Sequence, residues 1–481
     1  MRLGDILVAR GMVSVNGVEQ AIARQQTEGG RLGDNLIALG LLTQEQFEEV
    51  IHDTPQSPKT MIGTGIATAN LMTLLLRTMY VEQLKTTSQY VEALKLPQNI
   101  VTALLKEAAD KKYVESSGSG GIGIGLDLNY SLTSEGRIMG ADALERSQYI
   151  GPAPVSLSSY QEQILKQRIT NEHLSAADID QVFEGLIIPH DFTRKVGPAV
   201  NSGNTILLYG PPGNGKTSVA TQVAKIFKHI IYVPYAVEIE GQIMKVFDSG
   251  VHTPAIDDQS SEQLSLQNKG LRRENFDNRW VACRRPTVVV GGELTLDMLD
   301  LSYNAEAKFY EAPMHVKALG GTFIIDDFGR QIVSPEALLN RWIVPMESRV
   351  DFFKLSSGKS FMIPFDELLI FSTNKEPDDL MDQAFLRRIP YKIELFAPSK
   401  EEYKSIFTAI ATHSGLELPD SVFDFVVAQL EKGGHELAYY QPKFICNQVL
   451  SICKYDGTKP VMNEDHVREA LKNLYVKIDL D

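Results

Sequence analysis

Leu207-Leu208-Tyr209-Gly210-Pro211-Pro212-Gly213-Asn214-Gly215-Lys216-Thr217 is the stretch whose reading decides the fold. An apolar, β-compatible run at 205–209 breaks into a glycine-rich loop and resumes as a helical pattern of mixed face at 218–227. Strand, loop and helix in that order form the setting in which a loop cradles phosphate. Glycines let backbone N–H groups close on the phosphates, and the helix N-terminus adds a partial positive charge. Gly210, Pro211, Pro212, Gly213, Asn214, Gly215, Lys216, Thr217 and Ser218 are therefore the candidate nucleotide-binding set. Lys216 is placed to reach the β- and γ-phosphates of ATP, and the Thr217 hydroxyl to hold Mg²⁺.

Working outward, such a loop needs acidic groups on a neighbouring strand. Residues 322–325 are β-compatible and end in Asp326-Asp327. Asp326 is the candidate for ordering the Mg²⁺ shell and Asp327 for polarising the attacking water. A further run, 367–371, ends in Ser372-Thr373-Asn374, a polar tip suited to that water or to the γ-phosphate. Arg387 and Arg388 precede the run 391–395, a position from which a neighbouring subunit's nucleotide would receive a cationic finger.

With these residues in place, the chain from about 187 to its end resembles the AAA+ ATPases. GPPGNGKT at 210–217 corresponds to their Walker A loop, 324–327 to Walker B, Asn374 to sensor 1 and Arg387 or Arg388 to the arginine finger. The resemblance implies a multidomain α/β chain with a P-loop parallel sheet of order 5-1-4-3-2, built from 205–209, 229–234, 322–326, 367–373 and 391–395. A helical lid at 397–481 follows it. The implied catalytic set is Lys216, Asp326, Asp327, Asn374, Arg387 and Arg388, with Thr217 and Asp326 as metal ligands. Two positions depart from the usual pattern. Walker B ends in Asp-Asp rather than Asp-Glu, a form shared with helicase loaders that carry the IDDFG seen here at 325–329. Lys443 stands where sensor 2 offers arginine, keeping the charge but losing the bidentate fork.

The front of the chain carries an internal repeat. Arg2-Leu3-Gly4-Asp5 recurs as Arg31-Leu32-Gly33-Asp34; in each copy an apolar pair, Gly11 or Gly40, a second apolar pair and an N-cap at Ser14 or Thr43 follow. Gln46 completes a capping-box pattern with Thr43. The repeat resembles the N-terminal domain of type II secretion and type IV pilus ATPases, in the subfamily whose paired RLG motifs bind cyclic di-GMP. The first copy fits from Arg2 to its closing Gln25. In the second, Phe47 replaces an aliphatic residue and Thr54 stands in place of the closing Gln. The resemblance implies a second-messenger site at Arg2, Leu3, Gly4, Asp5, Gln25, Arg31, Leu32, Gly33 and Asp34; the alternative is a helical docking module whose glycine turns serve packing. The acidic and histidine boxes of the secretion ATPases are not found between Lys216 and Asp326, so only the sensor transfers.

Residues 53–59 form a turn-rich linker, and helical patterns at 67–80, 81–94 and 97–111 follow, then two extended pieces around a Gly/Ser run. That order resembles a winged helix, with KKYVESSG and YSLTSEG as its wing. Six basic and seven acidic residues between 77 and 135 leave no basic face for phosphate neutralisation, so a protein-binding wing is favoured over a DNA reader. Gly118-Ser119-Gly120-Gly121-Ile122-Gly123 formally matches GxGxxG but sits between two extended pieces and opens no helix, which argues against a dinucleotide site.

The expected domains are a repeat domain at 1–55, a winged-helix-like domain at 66–150, a helical connector at 151–186, the nucleotide domain at 187–396 and the lid at 397–481. Thr217 and Asp326 are separated by 108 residues, so 237–320 is assigned to an insertion. Its arginines Arg272, Arg273, Arg279, Arg284 and Arg285 either line a pore or partner-gripping element or pair with local acids.

A formal net charge of −14 argues against a general nucleic-acid coat. Cys283, Cys446 and Cys453 lack metal-ligand spacing and read as core thiols. Asp5 and Arg10 near the start argue against a signal peptide, and the uncharged run 61–76 is too short and polar to span a bilayer; a cytoplasmic location is expected. The expected function is an ATP-driven remodelling or assembly protein, a homo-oligomeric ring of hexameric size acting on a protein client, with ATP and Mg²⁺ as cofactors and cyclic di-GMP as regulatory ligand. The alternative is a regulatory protein, binding DNA or protein, in which ATP is a conformational ligand with little turnover.

Overall fold

The computed structural model describes all residues except 1–3, 5–6, 9, 30–31, 45, 48–52, 120–127, 185–191, 256–275 and 476–481. Five short apolar runs form the central sheet: β1 (Ile206–Tyr209), β2 (Thr287–Val290), β3 (Thr322–Ile325), β4 (Leu368–Ser372) and β5 (Tyr391–Glu394). Every neighbouring pair is parallel, and the order is 5-1-4-3-2. Parallel strands buried on both faces read as continuous hydrophobic runs, because alternate side chains feed two separate cores. Ile206, Leu208, Ile324, Ile370 and Ile393 join Val196, Val200, Val219 and Val223 of the helices Phe192–Ser202 and Lys216–Ala224. Leu207, Val288, Phe323, Ile325, Leu369 and Phe371 join Leu338, Leu339 and Trp342 of the helix Pro335–Ser348 on the other face.

The second slot of the sheet is filled by a different segment from the one expected. Ile230–Pro234 is a strand, but it pairs antiparallel with Trp280–Arg284 outside the central sheet. Thr287–Val290 takes the edge beside β3, as its alternating burial and the 46% exposure of Val289 require of an edge strand. Hydrophobic pattern alone does not choose between two such runs. The choice is made by register: Thr322 N donates to Pro286 O and the Arg285 guanidinium donates to Gly320 O, tying the residues before β2 to those before β3. A core strand therefore lies inside the stretch 237–320 that sequence assigns to the insertion.

The rest of that excursion builds most of a second sheet, ordered Ser302–Asn304, Phe309–Glu311, Gln242–Lys245 and Ala236–Ile239, to which the connector adds Val155–Ser156 at the edge. Arg279 is buried, with its guanidinium on Asp277 at 2.8 Å and on the carbonyls of Thr64 and Pro154. Arg285 pairs with buried Glu172 at 3.1 Å. These two arginines are ties to local acids and backbone, whereas Arg284 is exposed and Arg272 and Arg273 lie outside the described residues.

Ahead of this, helices Thr68–Glu82, Thr87–Leu94 and Gln98–Asp110, the antiparallel hairpin Val114–Ser119 with Leu128–Leu132, and helix Ser134–Arg146 enclose Leu71, Leu75, Tyr90, Leu94, Ile100 and Leu104. The second helix starts later than its periodicity suggests. Gln83 ends the first in the left-handed region, and Thr86 with Gln89 forms a capping box.

In the repeat, Gly11 and Gly40 both have φ +68°, and each copy closes with the same two bonds: Gly11 N to Val8 O and Met12 N to Leu7 O, then Gly40 N to Ile37 O and Leu41 N to Leu36 O. Identical C-terminal turns of this kind are what a glycine past a helix end provides. Four helices, Lys400–His413, Asp420–Lys432, Gln441–Asp456 and Glu464–Leu474, close the chain around Tyr403, Phe407, Phe423, Cys446 and Cys453. All three cysteines are free and buried, and burial pushes the Cys283 thiol up to about 12 and Cys446 to about 11. Among the described residues no helix is long and apolar enough to cross a membrane.

Candidate nucleotide site

β1 delivers the chain to the loop, and β5 holds it there. A Cβ on Gly210, whose φ is +132°, would lie 2.4 Å from Leu395 O, so only glycine lets the loop start this close to the end of β5. Leu395 N donates to Tyr209 O at 2.9 Å, and Asn214 Nδ2 donates to Leu395 O at 3.3 Å. Asn214 is buried, and its Oδ1 has no partner, leaving one acceptor of the cradle unspent.

Lys216 opens the helix Lys216–Ala224 and is 6% exposed. Its Nζ folds onto the loop, donating to Gly210 O at 2.9 Å and Pro211 O at 2.8 Å. Burial lowers its ammonium below the ordinary lysine value, opposed by the nearby charges of Asp327 and Asp326. The Thr217 hydroxyl donates to Asp326 Oδ2 at 2.7 Å, bringing an oxygen of the loop against an oxygen of the β3 end. Ser218 and Pro212 are exposed at the rim.

Beside Asp326, Asp327 has φ +48°, in the left-handed region where Asp and Asn are found far more readily than larger side chains. Its Oδ1 accepts from Asn374 Nδ2 at 2.9 Å. The turn is held by Phe328 N donating to Ser372 O at 2.7 Å, Thr373 Oγ1 to Phe328 O at 2.8 Å, and Gln331 Nε2 to Asp326 O at 3.0 Å. The acidic tip of β3 and the polar tip of β4 thus form one hydrogen-bonded unit.

The C-terminal helices reach the loop through Tyr440, a residue that no motif in the sequence singles out. A Cβ on Gly213, at φ +81°, would meet Tyr440 Cδ1 at 2.3 Å: the Tyr440 ring lies directly on the loop. Its hydroxyl sits 3.2 Å from that of Tyr475, which also accepts from Gln441 Nε2 at 2.8 Å and stacks on His435 with ring centroids 3.7 Å apart. The signal was the adjacency of Tyr440 to the helix start Gln441-Pro442, which also carries Lys443. Lys443 is exposed, three residues further along that helix.

Arg387 and Arg388 are not brought to this loop. Tyr391 pairs with Ile206, the end of β1 farther from the loop, so the arginines preceding it lie at the opposite end of the sheet. Arg387 is exposed; Arg388 Nε donates to Glu347 Oε1 at 2.5 Å. Of the second-messenger set, Arg2, Leu3, Asp5 and Arg31 lie outside the described residues. Gly4 and Gly33 face side chains: a Cβ would lie 2.8 Å from Val18 Cγ1 at the first and 2.2 Å from Phe47 Cε2 at the second. Both glycines are taken up by helix packing.

A hydroxyl and a carboxylate are the hard oxygen donors that Mg²⁺ takes from a protein when phosphates and water supply the remainder, and Thr217 with Asp326 fit that pattern. Among the described residues there is no cluster of three or more His, Cys, Asp or Glu side chains suited to a self-contained metal site. Fold and loop together show the parallel sheet order 5-1-4-3-2 and the strand–loop–helix of the AAA+ P-loop fold. Residues 206–252 match the ATPase family associated with various cellular activities (AAA), and residues 399–473 match a domain of unknown function (DUF8689). No curated protein matches the sequence. Among solved structures the chain is similar to the RuvB Holliday junction branch migration motor of Thermotoga maritima, at TM-score 0.33 and 16% identity over 64% of this chain and 74% of that one. It is also similar to NtrX from Brucella abortus in complex with ADP, at 0.38 and 10% over 63% and 59%. A third is domain III of the replication initiation protein DnaA of Thermotoga maritima, at 0.33 and 13% over 61% and 96%.

Proposed function

We propose that this chain is an ATP-hydrolysing AAA+ remodelling or assembly protein that acts on a protein client as a cytoplasmic homo-oligomeric ring of hexameric size. The observation that carries the reading is the 2.7 Å bond from Thr217 to Asp326 beside the 2.9 Å bond from Asn374 to Asp327, which joins three elements into one site. Gly210 to Thr217 bind the phosphates of ATP. Thr217 and Asp326 hold Mg²⁺, which when bound neutralises phosphate charge. Lys216 leaves the carbonyls of Gly210 and Pro211 for the phosphates, Asp327 accepts the proton of the attacking water, and Asn374 orients Asp327 and the water. Arg387 or Arg388 completes the site of the neighbouring subunit, and Lys443 supplies lid charge.

The test compares steady-state phosphate release by the wild type, Asp327→Ala and Arg388→Ala. Loss of at least about tenfold in both supports the proposal, since a general base contributes ~10²–10⁴-fold and a trans arginine more. Unchanged release in both ends it. A second reading, an ATP-liganded regulator with little turnover, is favoured by one feature: Asp327 is a short carboxylate already engaged by Asn374. Tight MgATP binding with no release above background in the wild type would select it.

For the front repeat we propose a regulatory docking role in which cyclic di-GMP is the ligand. Its support is the matching geometry of the Gly11 and Gly40 turns. Calorimetry with cyclic di-GMP on the wild type and Arg31→Ala decides: heat lost in the variant supports it, and no heat from the wild type removes the ligand.

A further inference from the structure

A cavity of about 290 Å³ lies away from the phosphate loop, between helix Thr68–Glu82, the end of helix Ser134–Arg146, and the strands Ala236–Ile239 and Gln242–Lys245 of the second sheet. None of the nucleotide-site residues lines it. Interfaces between units are common places for small-molecule sites, and this one brings Arg77, Glu238 and Gln242 to one space, with exposed Arg146 and Lys308 at its rim already held by Asp142 at 2.8 Å and by Glu145 O.

Arg77 is the first. It is 3% exposed, yet among the described residues no carboxylate pairs with it. Its Nη1 donates to Ser147 O at 3.0 Å and Ala143 O at 3.4 Å, while Nε is buried without a partner. Burial pulls its pKa down to about 10, the direction expected of a cation lacking its counter-ion. The second is Glu238, whose Oε1 accepts from Asn70 Nδ2 at 2.9 Å and whose carboxyl is raised by burial. The third is Gln242, whose Oε1 is buried and accepts nothing. Buried polar groups are normally paired, and here an unpaired donor and an unpaired acceptor belong to two residues that line one cavity, an exception that a ligand would relieve once rotation of the two side chains turns these atoms toward it. Tyr303, 43% exposed, stands at the rim and offers an aromatic face.

We propose that this cavity binds a small zwitterion of the α-amino-acid class, its carboxylate on Arg77 and its ammonium shared between Glu238 and Gln242 Oε1. A simple anion would satisfy Arg77 but leave Gln242 unpaired and add repulsion at Glu238. A simple cation would do the reverse. A zwitterion supplies both partners while carrying no net charge into a partly buried space, where isolated charge is costly. The bound molecule would bridge the front helical unit and the second sheet, so the site has the placement of a regulatory clamp rather than of a second reaction centre.

The experiment is thermal unfolding of the full chain with each of the common α-amino acids at millimolar concentration, with sodium acetate and inorganic phosphate as single-charge probes. At least one amino acid is expected to raise the midpoint in a concentration-dependent way. Gln242→Leu and Glu238→Leu are each expected to weaken that apparent affinity by about tenfold or more, the loss of one charge-assisted hydrogen bond. Far-UV circular dichroism and the ligand-free urea midpoint report whether each variant is folded, and Gln242→Met replaces a variant that is not. No shift from any amino acid with the wild type overturns the proposal. So does a shift equalled by acetate or phosphate, or one that survives intact in both folded variants.

Discussion

Replacing Gly213 by alanine tests the contact between lid and loop. The new methyl would stand 2.3 Å from Tyr440 Cδ1 and 2.6 Å from Cε1, on a residue with φ +81°. Two costs follow, and they can be separated. Left-handed backbone on an L-residue costs about 1–2 kcal/mol wherever the ring is, and forcing a methyl into an occupied space costs about 1–3 kcal/mol more. The penalty falls on MgATP affinity to the extent that the variant loop shifts when free and the bound phosphates require the cradle conformation. Together they amount to about 2–5 kcal/mol, or ~30- to ~4,000-fold in affinity at 1.4 kcal/mol per tenfold. In a Tyr440→Ala background only the backbone cost remains. The full cycle of four proteins, measured by titration calorimetry with MgATP, should therefore show a coupling of about 1–3 kcal/mol, well above the ~0.5 kcal/mol scatter of independent sites. Additive effects would refute the placement of Tyr440 on the loop.

Two further outcomes concern the carboxylates. Burial raises Asp366 to about 6, and Ile169 N donates to its Oδ2 at 3.0 Å. A carboxyl raised above its unfolded value adds stability that is present below about pH 4 and lost as pH rises through about 6, a loss of about 3 kcal/mol by neutral pH. Asp366→Asn keeps an acceptor and removes the charge, so urea unfolding from about pH 4 to about pH 7 should fall less steeply than in the wild type; an unchanged slope would count against the buried placement. At Asp327, whose φ of +48° suits Asp and Asn, Asp327→Asn should retain MgATP affinity and lose phosphate release. Asp327→Glu should instead lower stability by about 1 kcal/mol in urea unfolding, and an increase in both stability and turnover would contradict the strain assigned to this turn.

What the sequence made legible was the set of elements whose chemistry is local. The loop 210–217 needs its glycines, its lysine and its threonine in one run, and the pairs Thr217 with Asp326 and Asn374 with Asp327 join tips of strands recognisable by burial on both faces. The sheet order was legible as a pattern, but the occupant of its second slot was not. Ile230–Pro234 and Thr287–Val290 are both short β-branched runs, and only the long-range ties of Arg285 and Pro286 distinguish edge strand from outlying hairpin. Tyr440 was missed for a related reason. It lies 227 positions beyond Gly213, and the contact arises from how the lid packs against the loop, not from any spacing along the chain.

The position of Arg387 and Arg388 ties the site to assembly. Within one chain they sit beyond the start of β5, where Tyr391 pairs with Ile206, while the loop follows the other end of β1. No hinge of the lid brings them across the sheet, because β5 is locked to β1 along four residue pairs. Under the proposed mechanism the arginine must therefore come from another copy, and a lone subunit would bind nucleotide through Gly210 to Thr217 yet lack the cation that answers charge developing on the γ-phosphate. That separation gives assembly a kinetic signature. Phosphate release per subunit should rise with protein concentration while MgATP affinity stays constant. Mixing Arg388→Ala with Asp327→Ala should restore part of the activity that each lacks alone, because in a mixed ring some junctions pair an intact carboxylate with an intact arginine. Activity independent of concentration, with no complementation on mixing, would place the whole reaction inside one chain and remove the ring from the account.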